Sequence, residues 1–219
     1  MSPDTQPPSI REARNRILAE IGADVCLVAA SKRQPDERIE ASLAAGQRVY
    51  GENRVQEAVG RWGERRQELP DLELRLIGPL QTNKAEDAVQ LFHVIETLDR
   101  EKLLKALTKA VTKTGVSPPD LLIQVNTGDE PQKGGVSVGG LPDLLAAARA
   151  DYPGQVVGLM CIPPADEPAG PHFALLKKLA DAHELPQVSM GMSGDYALAA
   201  RLGATHVRVG TALFGARES

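Results

Sequence analysis

The segment Val25-Cys26-Leu27-Val28-Ala29-Ala30-Ser31-Lys32 decides the fold of this chain. Its first seven residues are small or apolar, which is typical of a strand covered on both faces in a parallel sheet. Lys32 follows at the carboxyl end of this strand. In barrels of alternating strands and helices this end carries the chemistry, and a lysine there can attack a carbonyl group to form a Schiff base. Taken alone, the segment is better explained by a surface lysine just past a strand, because fully buried lysines are rare.

The rest of the chain alternates between apolar runs and helical patterns. The runs predict further strands at 47–50, 74–77, 93–96, 121–125, 156–162, 187–190 and 206–209. Helical periodicity predicts helices at 35–45, 53–68, 82–91, 99–113, 139–150, 170–183 and 194–202. A capping box, Ser9-Ile10-Arg11-Glu12, begins one more helix in front.

Strands that alternate with helices predict a parallel sheet, either open and doubly wound or closed. No GxGxxG motif follows the first strand, and eight strands are the number that closes a barrel. We therefore predict a (β/α)8 TIM barrel with an extra N-terminal helix. It forms a single domain over residues 9–219, after a flexible tail at 1–8.

Composition excludes several classes of function. A net charge of −4 and an aromatic content of only 3% argue against a nucleic-acid binder. No apolar run approaches the roughly 20 residues that span a bilayer, and the first eight residues lack the features of a secretory signal. Cys26 and Cys161 form no CxxC pair, and the four histidines show no metal-ligand spacing. We expect a cytoplasmic protein with free thiols, no membrane contact and no metal.

Two segments near the end of the chain predict a phosphate site. The seventh strand leads into Gly191-Met192-Ser193-Gly194-Asp195, where Ser193 is placed to cap the next helix and leave free backbone amides for an anion. The eighth strand ends in Gly210-Thr211. In TIM barrels, the loops after strands seven and eight commonly hold a phosphate group. A plain helix cap and a plain turn are the alternatives for the two segments separately.

Arg208 adds a third element to this prediction. It lies two residues before Gly210 and therefore points to the same side of the strand, where its guanidinium could reach a cofactor ring. A salt-bridged arginine on the barrel surface is the alternative. A phosphate, a ring and a Schiff-base lysine together describe pyridoxal 5′-phosphate. A sugar-phosphate aldolase would usually need an acid/base carboxylate or a second lysine near the first, and the chain shows no clear candidate. The nearest in kind, Glu52, is equally explained as an acid at a helix start.

At these residues the chain resembles a known family, the pyridoxal phosphate homeostasis proteins, which are relatives of the N-terminal barrel of alanine racemase. The resemblance extends from about residue 10 to residue 217. The motifs that carry it lie at 30–32, 51–57, 77–84, 124–127, 189–195 and 207–217, with the sequences ASK, GENRVQE, IGPLQTNK, QVNT, SMGMSGD and VRVGTALFGAR.

The resemblance implies a role for each candidate residue. Lys32 would carry the cofactor as a Schiff base, and Arg208 would face the pyridine nitrogen. Asn53 and Met160 would be further cofactor neighbours, although helix capping and core packing also explain them. The residues implied around the phosphate are Ser193, Gly194, Gly210 and Thr211.

One motif departs from the family pattern. The family usually has Gly-His-Leu-Gln where this chain has Gly78-Pro79-Leu80-Gln81, so a titratable side chain is missing near the pocket rim. The glycine-rich segment 126–140, which contains Lys133, is either a mobile loop over the mouth or an ordinary connection.

These features favour a carrier over an enzyme. An arginine beside the pyridine nitrogen disfavours its protonation, which makes the ring a weaker electron sink. Alanine racemase uses a tyrosine from a second domain, whereas this chain ends at Ser219 and neither Tyr50 nor Tyr196 is an obvious substitute. We expect a monomer without catalytic residues that buffers pyridoxal phosphate and delivers it to dependent apo-enzymes. The alternative is an amino-acid racemase that uses the same cofactor.

Overall fold

The computed structural model describes residues 9–130 and 132–215, so the tail expected at 1–8 lies outside the described residues. The strands are β1 (Cys26–Ala30), β2 (Val49–Glu52), β3 (Glu73–Leu76), β4 (Val94–Leu98), β5 (Asp120–Asn126), β6 (Val136–Ser137), β7 (Val156–Met160), β8 (Gln187–Ser189) and β9 (His206–Val209). The helices are α1 (Ile10–Ile21), α2 (Asp36–Ala44), α3 (Val55–Trp62), α4 (Arg65–Glu68), α5 (Ala85–Leu91), α6 (Glu101–Thr114), α7 (Leu141–Asp151), α8 (Ala169–Ala182), α9 (Tyr196–Arg201) and α10 (Thr211–Phe214). Short 3-10 turns precede α5 and α7 at Thr82–Lys84 and Val138–Gly140.

Eight of the strands close into a barrel in which every pairing is parallel. Their order is β4-β3-β2-β1-β9-β8-β7-β5, and a further pairing between β4 and β5 closes the ring. The two-residue strand β6 pairs with β5 outside the ring. The prediction of a (β/α)8 TIM barrel is confirmed, and α1 is the extra helix in front of it.

The helix α1 shows how local sequence begins and ends an element. The Ser9 hydroxyl accepts a hydrogen bond from the Glu12 amide, and the Glu12 carboxylate accepts one from the Ser9 amide, which is a complete capping box. Gly22 ends the helix with φ of 83°, a conformation that favours glycine. The apolar face, including Ile17, packs against α9 and α10.

The main core lies between the strands and the surrounding helices. Along β3, Leu74 and Leu76 point outward into this core, whereas the intervening Arg75 points into the barrel. Charged side chains inside a barrel must be paired, because burying an isolated charge is costly. The ionic interior that results forms the base on which the functional site is built.

Two local predictions differ from the structure, and two short elements had no prediction. The strand expected at 47–50 is Val49–Glu52, because the Gln47 N–H group donates to the Ser42 carbonyl oxygen at the end of α2 and does not join the sheet. The helix expected at 53–68 is interrupted at Gly63, a residue with low helix propensity, and becomes α3 and α4. Neither β6 nor α10 was predicted.

The part of the chain that the structure describes has neither a membrane-spanning helix nor a cluster of metal-ligating side chains. In 9–130 and 132–215, no helix has the length and apolar character to cross a membrane. Within the same ranges, no group of three or more histidine, cysteine, aspartate or glutamate side chains is arranged to hold a metal ion.

Candidate cofactor site

A cavity of about 320 Å³ opens at the carboxyl end of the barrel strands. This volume falls in the range of roughly 300–1,000 Å³ that is common for small-molecule sites. The cavity brings together residues that follow the strands β1, β2, β3, β7, β8 and β9. Its lining consists of Ala30, Lys32, Gln34, Asn53, Ile77, Ile162, Met192, Ser193, Gly194, Arg208, Gly210 and Thr211.

Lys32 lies at the boundary between this cavity and a second one. It is partly buried, two residues past the end of β1. The second cavity has a volume of about 250 Å³ and is lined by Lys32, Arg33, Asn53, Arg54 and Glu57. The lysine amine is thus accessible, and it shares its surroundings with two arginines and one carboxylate.

Ser193 joins the two loops that the sequence predicted as a phosphate site. Its hydroxyl oxygen accepts hydrogen bonds from the backbone N–H groups of Gly210 and Ala212, at 3.2 and 3.3 Å. The sequence predicted that Ser193 caps α9, and this prediction is wrong. Asp195 is the N-cap residue, and its carboxylate instead accepts from the Met192 amide at 2.6 Å. The hydroxyl and backbone N–H groups of both loops therefore converge at one end of the cavity.

The turn before Ser193 depends on a glycine. Gly191 has φ of 90°, and a β-carbon at this position would lie 2.5 Å from the Ala199 side chain. Only glycine combines this backbone conformation with the close approach of α9. This residue therefore fixes the path of the loop that carries Ser193 and Gly194.

Arg208 lies inside the barrel at the floor of the cavity. It is 4% exposed, and its guanidinium donates to the Ser189 hydroxyl at 2.7 Å and to the Cys161 carbonyl oxygen at 2.8 Å. Both cysteines are free, and burial raises the pKa of the Cys161 thiol to about 12. These two buried acceptors thus fix the orientation of the Arg208 side chain through contacts within the protein itself.

Below Arg208, a chain of buried polar groups crosses the barrel. The Ser189 hydroxyl donates to Glu96 at 2.5 Å, and Arg75 donates to the other oxygen of the same carboxylate at 2.5 Å. Arg75 also donates a hydrogen bond to the Glu73 carboxylate at 2.6 Å. Burial alone would raise the pKa of Glu96, but the charges of Arg75 and Arg208 outweigh it and hold this pKa below its usual value. The site floor is therefore a charge-compensated network.

Asn53 and Met160 differ in their relation to the cavity. Asn53 lines it and does not cap a helix, because α3 begins at Val55 with Arg54 as its N-cap residue. Met160 is fully buried and packs with Val94 and Leu122 in a small apolar cluster. It does not belong to the cavity lining, so a contact between Met160 and a cofactor stays a prediction.

Glu52, the carboxylate considered for acid/base chemistry, faces away from the cavity. It is fully buried, and one of its oxygens accepts hydrogen bonds from Ser31, Arg61 and Trp62. It is neither a helix-start acid nor part of the cavity lining. It contacts the segment that carries Lys32 from behind.

Sequence reasoning did not identify five lining residues, which are Ala30, Gln34, Ile77, Ile162 and Met192. Ile162 and Met192 are large apolar side chains that stay about 40% exposed, at 39% and 40%, and they form an apolar rim. Met192 lies in the motif at 189–195, directly before Ser193, and this position could have identified it as a lining residue. Lys133 and Pro79 do not line the cavity.

The fold and the cavity define a class of protein: a TIM barrel in which an amine after the first strand shares a pocket with the loops after the last two strands. Residues 11–218 match the family model described as "Alanine racemase, N-terminal domain". The pyridoxal phosphate homeostasis protein of Aquifex aeolicus is 41% identical over 88% of this chain and 87% of its own length. That of Pseudomonas aeruginosa is 40% identical over 90% and 86%. The chain belongs to the pyridoxal phosphate homeostasis protein family.

Solved structures agree with this assignment. PipY of Synechococcus elongatus, solved without PLP, is 38% identical, with a TM-score of 0.88 over 94% of this chain and all of that one. The same protein with PLP bound gives 36% identity and a TM-score of 0.85 over the same shares. Alanine racemase from Corynebacterium glutamicum shares the fold alone. It is 19% identical, with a TM-score of 0.68 over 96% of this chain and 61% of that one.

Proposed function

We propose that this protein binds pyridoxal 5′-phosphate as a Schiff base on Lys32 and acts in intracellular homeostasis of this cofactor. It would buffer and deliver the cofactor, as a single-domain monomer, with little or no turnover. One observation carries the proposal: Lys32, the two converging loops and Arg208 line the same cavity. The names of the relatives and the PLP-bound structure of PipY support it.

The donor set fits this cofactor. A phosphate group needs several hydrogen-bond donors at one point, and the Ser193 and Thr211 hydroxyls would supply two of them. The Gly210 and Ala212 N–H groups donate to the Ser193 oxygen, which leaves the hydrogen of this hydroxyl free to donate to a ligand. Gly194 adds backbone without a side chain, and a β-carbon there would meet no atom within 4 Å. Arg208 presents a guanidinium at the floor for the ring, and Asn53 lies beside Lys32.

When bound, the cofactor supplies an aldehyde for an amine and a ring that can accept charge. The Lys32 amine is the group of this chain that would bond to the aldehyde carbon, with loss of water. Ser193 and Thr211 would hold the opposite end, so that the cofactor spans the cavity. Ile162 and Met192 at the rim would exclude water from the bond.

Low turnover follows from the chemistry of the lining. Racemisation needs a proton donor on the face opposite the base. With Lys32 as the base, the described residues that line the 320 Å³ cavity include no carboxylate, histidine, tyrosine or cysteine for this role, and the Glu57 carboxylate lines the second cavity instead. The hydroxyls of the three tyrosines bond elsewhere: Tyr50 to Ser42, Tyr152 to the Pro119 carbonyl and Tyr196 to Glu20. Burial raises the pKa of Tyr50 to about 12, which keeps its hydroxyl protonated at neutral pH and unable to accept a proton.

Spectroscopic titration tests cofactor attachment. The purified protein should develop the visible absorption band of a Schiff base with pyridoxal phosphate, and Lys32→Ala should abolish it. Lys133→Ala is the matched control, because Lys133 lies in a nearby loop and pairs with Glu130 at 2.7 Å instead of lining the cavity. A band that survives Lys32→Ala would refute the assignment.

Two assays separate a carrier from a racemase. The protein loaded with pyridoxal phosphate should restore activity to an apo-enzyme that depends on this cofactor. At a limiting cofactor concentration it should do so faster than the same concentration of free cofactor. Incubation with L-alanine and other L-amino acids should yield no D-isomer above background. Saturable racemase activity that Lys32→Ala abolishes would overturn the carrier proposal.

A further inference from the structure

The turn that carries Lys32 has a strained backbone. Residues 31–34 form this Lys32 turn, which the Gln34 amide closes by donating to the Ser31 carbonyl at 3.1 Å. Within it, Arg33 has φ of 55°, in the left-handed region that few residues other than glycine adopt. Such a residue costs roughly 1–3 kcal/mol and persists only where the surroundings determine its conformation. Something outside the turn must therefore hold it.

Arg61 holds both ends of the Lys32 turn. Its Nη1 donates to the Ser31 carbonyl at 2.6 Å, and its Nη2 donates to the Gln34 carbonyl at 2.7 Å. Its side chain is only 16% exposed. Because the guanidinium is planar and rigid, its two N–H groups fix the separation of the two carbonyl groups. One side chain on α3 thus spans the first and last residues of the turn.

Glu52 fixes Arg61 in turn. Its Oε1 accepts from Arg61 at 3.1 Å, from the Trp62 indole at 2.8 Å and from the Ser31 hydroxyl at 2.8 Å. The carboxylate is fully buried, and its Oε2 has no hydrogen-bond partner among the described residues. Buried ion pairs often add little net stability compared with apolar residues of similar volume, so the effect of this pair to be tested is the geometry that it imposes on the turn.

We propose that Arg61, held by Glu52, is a positioning residue for Lys32. The pair keeps the Lys32 turn in its strained conformation, so that the lysine amine enters the cavity ready to bond to an aldehyde. This inference rests on the proposed function. It adds that Arg61 and Glu52 determine the rate and the strength of Schiff-base formation on Lys32. These two residues are separate from the groups that would bind the phosphate.

Arg61→Gln tests this proposal by two measurements. The first is the rate of Schiff-base formation with pyridoxal phosphate, which we expect to fall by roughly 10- to 100-fold, as for a displaced reacting group. The second is the affinity for pyridoxine 5′-phosphate, which has an alcohol in place of the aldehyde and cannot bond to the lysine. This affinity should stay unchanged, because the phosphate loops are intact.

Control variants separate positioning from stability. Arg66→Gln removes a nearby arginine of α4 that donates to the Leu91 carbonyl oxygen at 2.8 Å, away from the Lys32 turn, and it should leave both measurements unchanged. Arg61→Lys keeps the charge but not the planar fork, so we expect an intermediate rate. The double variant Glu52→Gln with Arg61→Gln leaves no unpaired buried charge. It should recover stability without recovering the rate of Schiff-base formation.

Hydrogen exchange decides the inference independently of the cofactor. In the apo-protein, Arg61→Gln should speed exchange of the Gln34 amide at least about tenfold, whereas Arg66→Gln should not. A wild-type rate of Schiff-base formation in Arg61→Gln, an equal loss of pyridoxine 5′-phosphate affinity or unchanged exchange would each overturn the inference. Absence of any Schiff base in the wild type would instead refute the proposed function, and the exchange result would still decide whether Arg61 holds the turn.

Discussion

Replacing Glu96 by glutamine tests how the floor of the site is held together. Glu96 is 0% exposed, accepts hydrogen bonds from Arg75 and Ser189, each at 2.5 Å, and lies 4.0 Å from Arg208. Glutamine has the same shape, and its one side-chain oxygen can still accept a hydrogen bond. The substitution therefore removes mainly the negative charge between two buried guanidinium groups.

The expected loss follows from burial. Removing one partner of a buried ion pair costs about 3–5 kcal/mol, because the remaining charge stays uncompensated. Arg75 retains Glu73 at 2.6 Å, but the Glu73 side chain is 39% exposed, and solvent weakens such a pair to about 0–1 kcal/mol. We expect Glu96→Gln to lower the free energy of unfolding by about 3 kcal/mol, the low end of that range. The matched variant Glu73→Gln should cost about 1 kcal/mol or less.

Urea denaturation of both variants, followed by circular dichroism, measures this difference. The loaded proteins provide a second readout, because Arg208 loses a counterion in Glu96→Gln and the absorption band of the bound cofactor should shift. The reasoning is refuted if Glu96→Gln is no more destabilising than Glu73→Gln. The barrel interior would then not be a charge-compensated network.

Three further substitutions test other parts of the account. Gly78→Ala places a β-carbon 2.2 Å from the Asn53 carbonyl oxygen, so calorimetry should show a loss of about 1–3 kcal/mol, together with weaker cofactor binding. Ser193→Ala removes the acceptor for two backbone amides and should weaken pyridoxine 5′-phosphate binding in calorimetric titrations, while wild-type affinity would contradict the assigned phosphate site. Burial lowers the pKa of His206 from 6.5 to about 4, so between these pH values only the unfolded chain binds a proton at this residue. The free energy of unfolding should therefore fall by up to about 3 kcal/mol as the pH drops from 6.5 to 4. His206→Gln should flatten the pH dependence of the unfolding free energy in this window, and an unchanged slope would assign it to other groups.

The barrel was predictable because its signals are local. The apolar run before Lys32 and the alternation of strands and helices follow from residues close in sequence. The position of Arg208 inside the barrel followed in the same way from the twofold repeat of a strand.

The partners of the site residues were not predictable, because they come from distant parts of the chain. Ser189 and Glu96 are 93 residues apart, and only closure of the barrel brings them into contact. The roles of Arg61 and Glu52 behind the Lys32 turn depend on how α3 packs against the first two strands. The Ser193 hydroxyl was assigned to its own helix, but the last strand delivers competing amides from Gly210 and Ala212.

Identification of the lysine that holds the cofactor tests the central claim most directly. The loaded protein is reduced with borohydride, digested and analysed by mass spectrometry, which locates the stable adduct on a single peptide. We predict that the adduct lies on Lys32 and disappears in Lys32→Ala. An adduct on another lysine, such as Lys84 or Lys133, would contradict the account.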